Sequence, residues 1–280
     1  MNATTRSPNS ERAITAQDAA DILDELSVIA ALASAATLIT PYSEIERRTK
    51  DDLSPVTEAD ERANAVILDG LARVLPDVPV VSEESLAQAP EKIGASVVIV
   101  DPLDGTKEFL AGRDEYTVNI AIVTHGTPVA GVITAPKQGL LWRGVVGGKA
   151  ERLRMDLNGA QPVLSDAITI RTRAGSAQPV VATSRSHLDP RTEAFLARFA
   201  QAQRYMCGSS VKFCHLAQGD ADLYPRLSPT HEWDIAAGCA ILTAAGGKVT
   251  DPDGKPLIFG RAADKFLVPG FIAWGDPAQA

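Results

Sequence analysis

Val97-Val-Ile-Val-Asp101-Pro-Leu-Asp104-Gly-Thr106 is the stretch on which the reading of this 280-residue chain turns. A short run of β-branched apolar residues describes a buried strand, and this one delivers two aspartates at its carboxyl end. Pro102 stiffens the turn between them, and Gly105 lets the backbone come close to a ligand. Two carboxylates about 4 Å apart repel by roughly 4 kcal/mol at an effective dielectric near 20, so a pair held together calls for a cation. Oxygen ligands suit a hard one. On these residues alone a second reading stays open: Asp101 and Asp104 as a strand end and a helix N-cap, a role aspartate fills well.

Further acidic signals flank the first. Val80-Val-Ser-Glu83-Glu84 closes the preceding strand, Trp233-Asp234 opens a later apolar helix, and Thr57-Glu-Ala-Asp60 begins an earlier one. Each also has a plain structural reading. Glu83 and Glu84 serve as solvated loop charges, Asp234 as a favourable charge at a helix's positive end, and Asp60 as the third helical residue of a capping box.

Composition narrows the classes of function. With 45% hydrophobic and 22% charged residues, the chain reads as an ordinary folded protein. A count of 27 Lys+Arg against 35 Asp+Glu gives a net charge of −8, which excludes a broad electrostatic grip on nucleic acid. An anionic substrate would therefore need positive charge recruited locally, and a cation held by clustered carboxylates supplies it. Cys207, Cys214 and Cys239 form no C-x-x-C pair and are odd in number, pointing to reduced thiols and a cytoplasmic setting rather than disulfides or zinc. Residues 1–12 are polar, and no run of about 18 apolar residues occurs, so neither a signal peptide nor a membrane span is expected. Peripheral association with the inner membrane stays open, although no basic amphipathic helix stands out.

Periodicity gives the organisation. After a polar tail at 1–14, Thr15-x-x-Asp18 starts a helix with Ile22, Leu26, Ile29 and Ala33 at helical spacing. A second begins at Thr57, turns Ala63, Ile67, Leu71 and Val74 inward, and stops before Pro76. Strands are predicted at 78–81, 97–100, 117–124, 129–134 and 140–146, as a largely meandering sheet. Beyond Gly147-Gly148 and residues 158–162, strands at 168–171 and 180–183 alternate with helices at 190–200, 210–218 and 234–245. The expectation is an α+β lobe at 15–158 carrying the metal site and an α/β lobe at 159–280.

Taken together, Pro55-Val-Thr-Glu-Ala-Asp60, Ser82-Glu-Glu84, Asp101-Pro-Leu-Asp-Gly-Thr106 and Trp233-Asp-Ile-Ala-Ala237 resemble, in order and spacing, the signature of the inositol-monophosphatase-like family. That resemblance implies a layered αβαβα sugar-phosphatase fold with two or three Mg²⁺ ions between the lobes. Carried over residue by residue, it makes Glu83, Asp101, Asp104, Asp234 and the Leu103 carbonyl metal ligands. It makes Asp60 and Thr106, assisted by Glu83, the residues that orient or deprotonate the attacking water. The amides of Gly105 and Thr106 would receive phosphate oxygens.

A narrower resemblance, to the 3'(2'),5'-bisphosphate nucleotidase branch, lies in Lys107-Glu-Phe109, Thr183-Ser-Arg-Ser-His187, Gly208-Ser-Ser-Val-Lys212 and Leu223-Tyr-Pro-Arg226. It implies a nucleoside bisphosphate substrate, a place in sulfur metabolism and sensitivity to Li⁺, in a monomer or homodimer. Lys212 and Arg226 would meet the second phosphate, and Ser209, Ser210 and His187 would bond ribose and phosphate. Read singly, Lys212 is a solvated helix face, Ser209 a cap, and Arg226 a surface charge. Two rivals are an inositol- or fructose-1,6-bisphosphatase-like sugar phosphatase and a non-catalytic nucleotide- or metal-binding regulator. One departure is Glu232, which adds a negative charge beside Asp234.

Overall fold

Thr15 and Thr57 start helices by the same device. The computed structural model describes residues 13–39, 47–49, 55–185 and 189–280. In it the Thr15 amide donates to Asp18 Oδ2 at 2.9 Å and the Thr15 hydroxyl accepts from the Asp18 amide at 3.1 Å, the reciprocal pairing of a capping box. The helix it begins, α1 (Ala16–Asp21), breaks at Ile22 (φ −112°, ψ 8°) and restarts as α2 (Leu23–Thr37), where one continuous helix was expected. Of the expected polar tail, residues 1–12 lie outside the described residues, while Ile14 is buried and bonds Ser96 and Thr124. A short antiparallel pair, β1 (Arg47–Thr49) and β2 (Pro55–Thr57), leads into α3 (Glu58–Val74), which ends at Leu75 ahead of Pro76.

A seven-stranded sheet follows in chain order: β3 (Val80–Ser82), β4 (Ser96–Asp104), β5 (Thr117–Thr124), β6 (Thr127–Ala135), β7 (Leu140–Val145), β8 (Ala150–Asp156) and β9 (Val163–Ile170). Between β4 and β5 stands α4 (Thr106–Leu110). Only β3 and β4 run parallel; the rest is the expected meander. No strand was expected at β8, because its charges mask the alternation. Glu151 is nonetheless buried there, paired with Arg143 and Lys149.

The second sheet is assembled from β10 (Val180–Ser184), α5 (Pro190–Leu196), β11 (Gln203–Cys207), α6 (Val211–Ala217), β12 (Leu223–Arg226), β13 (Thr230–His231), α7 (Glu232–Ala244), β14 (Lys248–Thr250), β15 (Leu267–Val268) and β16 (Phe271–Trp274). Its strand order is β11-β10-β12-β16-β14, parallel over the first three and antiparallel thereafter, while β13 and β15 pair separately.

Alternation along the strands sorts these elements into layers. Val98, Val100, Ile120 and Val132 turn to one side and pack with Leu26, Ile29, Ile67 and Leu71 of α2 and α3. Ile99, Ala121 and Ile133 turn to the other, against Phe213 of α6 and Ile235 and Ile241 of α7. The same core takes in Tyr224, Phe271 and Ala273 of the second sheet, whose outer face, with Val181, Leu223 and Ile272, meets Leu196 of α5. The sequence of layers is thus helix, sheet, helix, sheet, helix, as the resemblance implied. Residues 158 and 159 fall between β8 and β9, paired strands of one sheet, and α6 and α7 form a core common to both sheets. Close approach requires glycine here. A Cβ on Gly131 would collide with the Ala237 carbonyl of α7, and one on Gly238 with the Phe213 ring. Cys207, Cys214 and Cys239 lie free and buried in this shared layer. Among the described residues no helix is long and apolar enough to cross a membrane.

Candidate active site

In a regular strand, residues three apart point to opposite faces. Asp101 and Asp104 escape this rule because β4 carries a bulge between them: Asp101 pairs with Asn119 while Asp104 pairs with Thr117, so one extra residue stands on β4. The bulge returns both carboxylates to one side. Asp101 is 1% exposed, and its Oδ1 accepts the Leu103 amide at 3.0 Å. Carboxylate oxygens of Glu83, Asp101 and Asp234 all lie within 4.8 Å of one another. Burial, and then the charges of Glu83, Asp104 and Asp234, push the Asp101 carboxyl well above its ordinary value. Asp104 is pushed up to about 7 by burial and by Asp234, against the opposing pull of Lys212, the Ser210 amide and Arg226. A set of oxygen donors that repel one another inside the protein fits a hard divalent cation.

Asp60 closes a capping box and also reaches Thr106. Its Oδ2 accepts the Thr57 amide at 2.9 Å and the Thr57 hydroxyl at 2.5 Å, closing the box that starts α3. Its Oδ1 accepts the Thr106 hydroxyl at 3.3 Å, and the Leu103 carbonyl lies 3.4 Å from the same hydroxyl. The cap therefore fixes a buried carboxylate against Thr106.

Asp234 comes from the first turn of α7, where its Oδ2 accepts the His231 amide at 3.2 Å and the Thr230 hydroxyl. Glu232 adds no charge to that cluster. Its side chain, 0% exposed, turns away to accept the Gly260 and Arg261 amides at 2.6 and 2.9 Å, and burial raises its carboxyl despite those bonds.

A cleft of about 740 Å³ opens over these groups, lined by Glu83, Asp101, Leu103, Asp104, Gly105, Thr106 and Asp234 together with Ser209, Ser210, Lys212 and Arg226. Gly105 occupies the left-handed region (φ 94°) as the residue before α4. Lys212 is not the solvated helix face that its isolated reading offered. It is 2% exposed, donates to the Ser209 and Cys207 carbonyls, and lies 5.0 Å over the Tyr224 ring. The Ser210 hydroxyl is engaged inside the wall with Thr117 and Asn119, both at 2.7 Å, while its amide donates to Asp104 at 2.5 Å. Arg226 donates Nη2 to the Pro229 carbonyl at 3.2 Å, and its buried Nε has no partner among the described residues. His187 lies outside the described residues.

Beside the cleft Glu115, unmarked in the sequence, meets Arg185, which the sequence offered only as part of Thr183-Ser-Arg-Ser-His187 and with no role of its own. Glu115 accepts the Gly208 amide at 2.9 Å and a two-pronged bond from Arg185. Partial burial opposes its ionisation, yet Arg185 and the Gly208 amide hold its carboxyl below the ordinary value. Separated by 70 positions, the pair leaves no local pattern to read.

Comparison with known proteins follows the same lines. The profile of the inositol monophosphatase family matches residues 20–270. The chain is 42% identical over 229 residues to the 3'(2'),5'-bisphosphate nucleotidase CysQ of Escherichia coli K12, covering 80% of this chain and 86% of that one. It is 41% identical over 236 residues to CysQ of Salmonella typhimurium, covering 81% and 88%. Among solved structures, CysQ of Bacteroides thetaiotaomicron superposes with a TM-score of 0.76 at 32% identity, over 92% of this chain and 97% of that one. An IMPase of Thermotoga maritima gives 0.73 at 26%, over 92% and 94%.

Proposed function

Because the chain belongs to the inositol monophosphatase family, we propose that it is a divalent-cation-dependent phosphomonoesterase that removes the 3' phosphate of adenosine 3',5'-bisphosphate, leaving AMP and phosphate. The carrying observation is that one cleft joins the acidic group of Glu83, Asp101 and Asp234 to a wall bearing Lys212 and Arg226. A bisphosphate needs both: cations for the phosphate that leaves and protein donors for the one that stays. Likeness to the CysQ nucleotidases supports the same substrate.

In this reading Glu83, Asp101, Asp104, Asp234 and the Leu103 carbonyl hold two or three Mg²⁺ ions. Such ions supply a lowered pKa for water and neutralise charge on the phosphoryl group. The chain's own residues do the rest. Thr106, bonded to Asp60 Oδ1, orients the attacking water. As the water oxygen bonds to phosphorus and the bond from phosphorus to the 3' oxygen breaks, a water proton passes to Thr106 and the Thr106 proton to Asp60. The departing 3' oxygen takes a proton from solvent. Amides of Gly105 and Thr106 steady the transferred group, and Arg226 and Ser209 receive the 5' phosphate. Lys212, bonded to the carbonyls of residues 207 and 209, shapes that segment and adds its field. Ser210 acts through its amide to Asp104, and His187 is assigned to the ribose side.

The test is phosphate release with Mg²⁺ from adenosine 3',5'-bisphosphate, inositol 1-phosphate and fructose 1,6-bisphosphate. Preference for the nucleotide is expected; preference for either rival by about tenfold or more overturns the substrate. Release from none of them returns the chain to the class of non-catalytic binders.

A further inference from the structure

Glu115 lies in the connection between α4 and β5, and Arg185 directly follows β10, so the pair ties the first sheet to the second beside the cleft. Arg185 Nε donates to Glu115 Oε2 at 3.1 Å and Nη2 to Oε1 at 2.7 Å, the planar fork that guanidinium makes with a carboxylate. The grip extends into the segment that carries Ser209. Arg185 Nη2 also donates to the Met206 carbonyl at 3.1 Å, and Glu115 Oε2 accepts the Gly208 amide at 2.9 Å.

That segment needs holding. Ser209 has φ 47°, a left-handed conformation unfavourable for a residue with a Cβ and kept only where surroundings impose it. Lys212 and Asp104 restrain it from within, through the carbonyls of residues 207 and 209 and the amide of Ser210. Glu115 and Arg185 restrain it from outside. Contact is tight on this side: a Cβ on Gly208 would lie 2.8 Å from Glu108 Cγ and 2.9 Å from the Glu115 carbonyl, and one on Gly105 would lie 3.3 Å from Ser209 Cβ. The ion pair is partly exposed, with side chains 35% and 23% accessible, so it contributes little to global stability.

We propose that Glu115 and Arg185 are positioning residues for substrate selection: by fixing the Gly208 amide and the turn at Ser209, they set the wall that receives the second phosphate of a nucleoside bisphosphate. The inference rests on the nucleotidase reading above. Neither side chain belongs to the acidic group, so the pair governs binding of the bisphosphate and leaves the chemistry at the 3' phosphate alone.

The experiment compares adenosine 3',5'-bisphosphate with 3'-AMP, which lacks the second phosphate, for Glu115→Gln, Arg185→Gln and the exchanged double variant Glu115→Arg with Arg185→Glu. For both single variants KM for the bisphosphate is expected to rise roughly tenfold, while kcat and both constants for 3'-AMP stay within about twofold. The exchanged variant restores an ion pair but offers Gly208 no acceptor at its old place, so it should not recover the lost affinity. Equal losses on both nucleotides, or recovery in the exchanged variant, overturn the proposal in favour of a merely structural bridge. Wild-type turnover with unchanged single variants overturns it alone; a wild-type protein inactive on both nucleotides overturns the nucleotidase reading, and this inference with it.

Discussion

On the first sheet's side of the cleft, Glu83 and Asp101 turn carboxylate oxygens toward one another and toward Asp234 of α7. On the second sheet's side, Lys212, Ser210 and Arg226 turn polar atoms toward the protein's own carbonyls and hydroxyls. One wall is left electrostatically incomplete by the fold, since like charges withdrawn from water cost free energy until a cation joins them. The other is largely preformed, with the Arg226 Nε left over for a ligand, so little ordering remains to oppose binding. A cleft can thus combine a region assembled by its ions with a region assembled by its backbone, and the two should fail differently.

The largest expected effect breaks the ion-dependent wall. Asp101→Asn, and likewise Asp104→Asn, should lower turnover by about 10³-fold or more while leaving the circular dichroism spectrum unchanged. In chelator the Asp101 variant should melt above the wild type, because a buried repulsive charge is gone. Near-normal activity in either variant would remove the acidic group from the chemistry.

Next in size is a pH dependence that the acidic wall should show. In chelator, Asp101 is held well above the ordinary value and Asp104 up to about 7, whereas unfolded aspartates titrate near ~3.9. Between those values these two carboxyls bind more protons in the folded form than in the unfolded one, so their contribution to stability is greatest at the acid end and falls as pH rises from about 4 to about 7. Saturating Mg²⁺ should flatten that slope. Thermal midpoints measured across this range with and without Mg²⁺ decide it, and parallel curves would contradict the comparison.

Breaking the preformed wall should be more selective. Arg226→Ala removes charge-assisted donors worth about 1.5–3 kcal/mol, so kcat/KM for the bisphosphate should fall roughly 10–100-fold. For 3'-AMP the loss should stay below about threefold. Equal losses on the two nucleotides would mean that both walls serve one phosphate. The smallest effect sharpens the junction between cap and catalyst: Thr57→Ala should cost about 1 kcal/mol in denaturant unfolding. It should lower kcat only severalfold, since Thr106 still meets Asp60 Oδ1.

The two walls also differed in how far the sequence revealed them. Asp101 and Asp104 are close in the chain at the end of an apolar run, so that part of the acidic wall had a local signal, whereas Glu83 and Asp234 entered it only through the resemblance. Even there the bulge that brings both to one face had no signal beyond Pro102. Lys212 could be taken for a surface residue, although Val211, Phe213 and Cys214 around it are buried and an all-round apolar setting argues against exposure. Glu232 looked like a charge added to the metal group because spacing along a helix does not reveal which loop amides a carboxylate will reach. The helix break at Ile22 follows from no proline or glycine. Strand β8 went unseen because pairing across strands, Arg143 with Glu151, neutralises charges that look external in one dimension. Long-range partners such as Glu115 and Arg185 exist only once the sheets are side by side.

The layer between the sheets carries a last consequence. Burial raises the Cys207 thiol to about 11 and also lifts those of Cys214 and Cys239 above the ordinary value, so thiolate is scarce at neutral pH as well as sheltered. A maleimide or iodoacetamide added to the native protein should therefore find no target until the sandwich parts. Alkylation should then be all or none in each molecule, its rate keeping time with the opening of the sandwich.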